Sequence, residues 1–120
     1  FLFNTTFTTF TPTSLGNMSD VKSFVEDTIN ENSVVLFTKS YCPYCREAVQ
    51  TFKELNEGYV EYQLDNMTNG SDIQNYLLQK TKQRTVPNIF INQQHIGGND
   101  DLQAAKSSGR LKNLLNRGTL

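Results

Sequence analysis

The sequence predicts an α/β domain: a four-stranded mixed sheet flanked by helices on both faces. Three observations carry that expectation. From residue 19 onward, short β-branched or aromatic runs alternate with segments of helical period, in the order α-β-α-β-α-β-β-α. The run Val34-Val35-Leu36-Phe37 is apolar at every position, which suits a strand covered on both faces. The spacer Asn92-Gln93, between Asn88–Ile91 and Gln94–Ile96, signals a two-residue hairpin.

Each element has its own local reason. Ser19 is expected to cap a first helix, with Asp20 in its first turn and Val21, Phe24, Val25, Thr28 and Ile29 at helical spacing. Ala48, Val49, Phe52 and Leu55 mark a second helix that stops near Gly58. Tyr59 to Leu64 reads as a strand. It completes a βαβ unit with parallel strands and a right-handed crossover. Asn69-Gly70 is a turn, and Gly70 or Ser71 opens a helix bearing Ile73, Tyr76 and Leu77. The hairpin adds antiparallel strands to one side. Asn99 or Asp100 is expected to cap a helix with Leu102 and Ala105 inward. Gly109 ends or bends it, and Leu111, Leu114 and Leu115 mark a final amphipathic helix.

Residues 1–18 read differently. They hold no charged residue and no histidine, and their Phe, Thr and Asn recur without period. A flexible extension is expected there: a tail, a presequence remnant or cloning residues, with Met18 as an alternative start. Residues 19–120 then form the domain. A length of 120 residues suits one such unit. Eleven Lys and Arg stand against 12 Asp and Glu, a net charge of -1. That balance argues against a general nucleic-acid binder. No run of 18 apolar residues exists to cross a membrane as a helix.

The chemistry is expected at Lys39-Ser40-Tyr41-Cys42-Pro43-Tyr44-Cys45-Arg46, between a strand and its helix. Two cysteines and one histidine do not complete a four-ligand zinc site. Cysteines three positions apart do not close a long loop either, so their use is local. Redox work, half of a metal site shared between chains, and inert packing are the three readings of the pair. The βαβ context favours the first. A sulfur at position 42 faces orphan N–H groups of the helix's first turn, at the positive end of its dipole. Pro43 fits that turn because it lacks an N–H. Lys39 and Arg46 add positive potential. These effects favour Cys42 as the attacking thiolate. Cys45, one turn deeper, is expected to be more buried and less anionic, and to act as the resolving thiol.

The motifs resemble those of the dithiol glutaredoxins, in their eukaryotic, fungal-like form. C-P-Y-C after a V-V-L-F strand and Lys39 is similar to that family's active-site motif. Thr85-Val86-Pro87-Asn88-Ile89-Phe90-Ile91-Asn92 resembles its second motif, and His95-Ile96-Gly97-Gly98-Asn99-Asp100-Asp101-Leu102 its third. Leu64-Asp65-Asn66-Met67-Thr68-Asn69-Gly70, followed by Ile73-Gln74, resembles a fourth stretch. The likeness covers about residues 19 to 117, and several motifs in order are far more specific than a lone C-x-x-C.

The resemblance implies a thioredoxin fold and glutathione-dependent reduction of protein–glutathione mixed disulfides and protein disulfides. Cys42 and Cys45 would be catalytic. Pro87 would be cis, and Val86 would offer strand-like hydrogen bonds to the cysteinyl part of glutathione. Thr85 and Tyr44 would line the groove. Lys39 and Gln74 would meet the glycine carboxylate. The helix start at Asp100 and Asp101 would take the γ-glutamyl end, Asp101 pairing with its amino group. Asp100 departs from the family pattern, which has Ser or Thr there; a second carboxylate should weaken glutathione binding. Tyr41, Tyr59, Tyr62 and Tyr76 read as packing residues and His95 as structural. Glutathione is the expected co-substrate, with no tightly bound cofactor and no metal. Expected partners are glutathionylated or disulfide-bonded proteins, with an indirect link to an NADPH-dependent glutathione reductase. A monomer in the cytoplasm is expected, or in the mitochondrion if residues 1–17 derive from a presequence. Two rivals stay open: a [2Fe–2S] dimer ligated by Cys42 and glutathione, and a reductase-dependent thioredoxin.

Overall fold

The computed structural model describes residues 18–116. Residues 1–17 of the expected 1–18 extension lie outside them. Met18 already belongs to the first helix, α1 (Met18–Glu31), so Ser19 lies inside that helix and is not its cap. The inward face of α1 is Val21, Val25 and Ile29, at the predicted spacing.

The expected mixed sheet is present. Among the described residues it has four strands: β1 (Val34–Thr38), β2 (Val60–Gln63), β3 (Asn88–Ile91) and β4 (Gln94–Gly97), in the order β2-β1-β3-β4. β1 pairs parallel with β2 and antiparallel with β3, and β3 pairs antiparallel with β4. Every residue of β1 is buried because helices cover both sheet faces. Val34 and Leu36 point into one core with Phe52, Ile89 and Leu102; Val35 and Phe37 point into the other with Val25, Ile73 and Leu77. This alternation is the two-residue period of a strand. Burying a side chain such as Phe37 contributes about 1.5–3 kcal/mol. The hairpin turn Asn92-Gln93 has positive φ at both residues, 48° and 73°, the primed geometry that matches strand twist.

The remaining helices are α2 (Pro43–Glu54), α3 (Gly70–Thr81), α4 (Asn99–Ser108) and α5 (Arg110–Asn116). Several boundaries differ from expectation: Tyr59 falls just before β2, and β4 runs on to Gly97. Leu64 leaves the strand and opens a 3-10 turn (Leu64–Asn66), with its side chain buried in the core. Helix α2 stops at Glu54, before Gly58. Helix α4 is capped by Gly98, one residue before Asn99. Gly70 begins α3 against the Leu64 carbonyl; a Cβ there would lie 1.8 Å from that oxygen. Helix α3 is tied to α1 by the Tyr76 hydroxyl, which donates to Glu26 (2.5 Å), and by the Lys80–Glu26 ion pair (2.9 Å).

Candidate active site

The loop from β1 to α2 ends with Cys42 as the helix cap, in extended conformation (φ -93°, ψ 113°), and Pro43 in the first turn. The Cys42 Sγ accepts a hydrogen bond from the Cys45 backbone N–H at 3.1 Å. The dipole argument thus has a concrete contact: an orphan donor of the helix start is spent on sulfur. Ser40 anchors the loop by donating its N–H (2.9 Å) and its hydroxyl (2.5 Å) to the two oxygens of Asp65. Those bonds hold the Asp65 carboxyl below its usual range. Arg46 does not reach a sulfur in these contacts; its guanidinium donates to the Ser40 carbonyl at 3.4 Å.

Both cysteines are free thiols, and both are buried, Cys42 at 8% exposure and Cys45 at 2%. Burial, reinforced by the neighbouring Cys42 sulfur, pushes the Cys45 thiol up to about 12. At neutral pH Cys45 therefore keeps its proton.

On the other side of Cys42 runs the segment before β3. The Cys42 thiol points at the Val86 carbonyl, 3.8 Å away. The Val86–Pro87 bond is cis, as the resemblance implied. A groove of about 490 Å³ opens here, lined by Tyr44, Gln83, Thr85, Val86, Pro87 and the residues 98–101. Six of the eight anticipated binding residues meet in it: Tyr44, Thr85, Val86, Pro87, Asp100 and Asp101. Asp101 also turns back to accept from the Gly98 N–H at 3.3 Å, closing the first turn of α4. Asp100 is exposed.

Lys39 and Gln74 line other hollows. Lys39 faces a cavity of about 310 Å³ with Cys45, Arg46, Lys53 and Glu61. Gln74 lines a smaller one, of about 220 Å³, with Arg84, whose carbonyl accepts from its amide at 2.9 Å. Tyr41 departs from the packing role expected of it: it is 69% exposed, because the loop has left the sheet there. Tyr62 does pack, stacked on Phe37 and edge-on to Phe24. His95 sits outside the groove lining, against the Phe90 ring, with Nε2 2.9 Å from Asn88 Oδ1. Although the residue stays exposed, partial desolvation holds its pKa below the ordinary histidine value despite the opposing pull of Asp101.

Sequence reasoning missed Gln83 and Asn99. Gln83 stands between Lys82 and Arg84 just past a helix end, where a polar residue reads as solvated. Nothing in the local pattern says that its amide turns inward. Among the described residues no cluster of three or more His, Cys, Asp or Glu could hold a metal, and no helix is long and apolar enough to cross a membrane.

Comparison with known proteins gives one answer. The family model described as Glutaredoxin matches residues 34–96, more than half of the chain. Glutaredoxin-2 of Schizosaccharomyces pombe is 50% identical over 97 residues, 81% of this chain and 88% of that protein. Glutaredoxin-1 of Saccharomyces cerevisiae is 47% identical over 95 residues, 76% of this chain and 86% of that one. Among solved structures, the buckwheat glutaredoxin–glutathione complex superposes with a TM-score of 0.80 at 37% identity, covering 82% of this chain and 90% of that chain.

Proposed function

This chain belongs to the glutaredoxin family and has its thioredoxin fold; from that premise we propose that it reduces glutathione mixed disulfides and protein disulfides at Cys42, with glutathione as electron donor. The observation that carries the reading is the Cys42 sulfur itself. It is capped by an N–H at 3.1 Å on one side and borders, through Val86, a groove of about 490 Å³ on the other.

In the first route the Cys42 thiolate attacks the glutathione sulfur of a protein–glutathione mixed disulfide. The old S–S bond breaks, and its electron pair leaves on the protein sulfur, which takes up a proton. A Cys42–glutathione disulfide remains. A second glutathione thiolate attacks the bound glutathione sulfur, returning Cys42 as thiolate and releasing glutathione disulfide. In the second route Cys42 attacks a protein disulfide. Cys45 then gives up its proton and attacks Cys42, freeing the protein dithiol and closing the Cys42–Cys45 bond. Two glutathiones reopen it. The high proton affinity of Cys45 supports this order, because it waits as a thiol until the mixed disulfide forms.

The groove supports glutathione as the peptide. Val86 offers backbone polar groups to an extended tripeptide, and the start of α4 presents N–H groups to a carboxylate, with Asp101 beside them for an amino group. Lys39, which lines the separate hollow beside Cys45, serves the glycine end in this reading. The decisive test is glutathione-dependent turnover of a glutathionylated peptide, coupled to glutathione reductase and NADPH, by wild type and Cys42→Ser. Turnover in wild type and none in the variant is expected. Reduction that requires a thioredoxin-type reductase, or a visible cluster absorption near 420 nm in freshly purified protein, would replace this reading by one of its rivals.

A further inference from the structure

Gln83 has a geometry that none of the motifs anticipates. Its side-chain nitrogen donates to two backbone carbonyls, that of Thr85 at 3.0 Å and that of Pro87 at 2.8 Å. Both partners are acceptors, so the NH₂ end of the amide must face them, and its two hydrogens serve one carbonyl each. The carbonyl between them, Val86, points instead at the Cys42 sulfur. Gln83 therefore grips the strand segment at alternate carbonyls and leaves the middle residue turned toward the groove.

Gln83 is itself held. Its backbone N–H donates to the Thr81 hydroxyl at 3.1 Å, and that hydroxyl donates to the Leu77 carbonyl in the last turn of α3 at 2.8 Å. The Asn88 amide also donates to the Thr81 hydroxyl, at 3.4 Å. One donor and two acceptors use the full capacity of that group. The brace thus runs from the end of α3 to the loop. Across the groove the backbone comes close as well: a Cβ on Gly98 would lie 3.6 Å from the Pro87 carbonyl and 3.9 Å from the Gln83 amide nitrogen.

We infer that Gln83 is a positioning residue of the glutathione site: it fixes the orientation of the Val86 peptide edge on which the tripeptide is to be read. The inference rests on the function proposed above and extends it to a residue outside the motifs. Its effect falls on recognition of the glutathionyl group. Cys42 takes its short hydrogen bond from the Cys45 N–H at the start of α2, at 3.1 Å, and touches the braced segment through the longer 3.8 Å contact with the Val86 carbonyl.

The test compares Gln83→Met, of similar length without a donor, with Gln83→Lys, which restores a donor at similar reach. The substrate is the mixed disulfide of glutathione with a short cysteine peptide. Loss of these hydrogen bonds should raise KM about fivefold in Gln83→Met, with kcat within twofold of wild type. Gln83→Lys should bring KM back most of the way. Alkylation of Cys42 by iodoacetamide, which does not use the groove, should be unchanged in both. Gln83→Glu keeps the shape but sets a carboxylate against two carbonyls, and should raise KM further; it carries the test if Gln83→Met does not fold. An unchanged KM in Gln83→Met, or equal rises in Gln83→Met and Gln83→Lys, overturns the inference. So does a fall in kcat together with slower alkylation. Wild type without glutathione-dependent turnover would instead overturn the proposed function, which separates the two failures.

Discussion

The backbone N–H of Cys45 donates to the sulfur of Cys42 across 3.1 Å, while the Cys45 side chain is driven into the core at 2% exposure. One residue thus serves the first sulfur through its backbone and withholds its own through burial. The helix start requires this division. Its N–H groups need acceptors, and its inward face needs apolar cover.

The two thiols should therefore differ sharply in reactivity. Iodoacetamide at pH 7 is expected to give a single adduct, at Cys42, by mass spectrometry. The Cys42→Ser variant should remain unlabelled until it is denatured. Rapid labelling of Cys45 in the folded protein would contradict its burial and its pKa of about 12.

The same burial predicts an alkaline limb of stability. The Cys45 thiol has an ordinary value of 9.0 and a folded value of about 12, raised by burial first and by Cys42 second. Its contribution is fully present below pH 9 and is lost as pH rises from 9 toward 12, where the unfolded chain ionises first. Thermal unfolding across that window should show a steeper decline for wild type than for Cys45→Ala.

Replacing the resolving thiol should split the two activities. Cys45→Ser is expected to keep deglutathionylation of a peptide and to lose reduction of protein disulfides. If peptide deglutathionylation disappears as well, the roles given to the two cysteines are wrong.

Asp100 lines the groove beside Asp101, so under the proposed function a second carboxylate would repel the γ-glutamyl carboxylate of glutathione while attracting its amino group. Asp100→Ser should lower KM for glutathione by about two- to fivefold at low salt. The difference should shrink at 0.5 M salt, where screening shortens to a few ångströms. A KM that does not fall removes the repulsion argument.

Gly97 has φ +121°, and a Cβ there would lie 2.2 Å from the Asp101 carboxylate oxygen. Gly97→Ala should destabilise the fold by more than about 1 kcal/mol and raise KM through displacement of Asp101. Denaturant titration and turnover measured together check both effects.

Much of this was legible in the residues. The apolar run of β1, the period of α1 through α5, the Asn92-Gln93 turn and the C-x-x-C spacing are all local patterns. They translate into structure because strand and helix periods are fixed by backbone geometry. Element ends were less legible. Leu64 carries a strand-like side chain but serves as a core anchor, and Gly98 caps α4 although two better capping residues follow it. Neither end is set by a signal that the local residue pattern carries.

By itself, the sequence determined the alternation of elements and the placement of one sulfur at a helix start. It also identified the motif segments that border that sulfur. Tertiary structure alone decided which side chains share a cavity. It brought Thr85, Val86 and Pro87 opposite Asp100 and Asp101, sent Lys39 and Gln74 to separate hollows, and turned Gln83 inward. The reason is physical: local patterns fix which way a residue faces on its own element. The cavity it lines depends on how β1, β3 and the helices pack across a distance that local patterns do not encode.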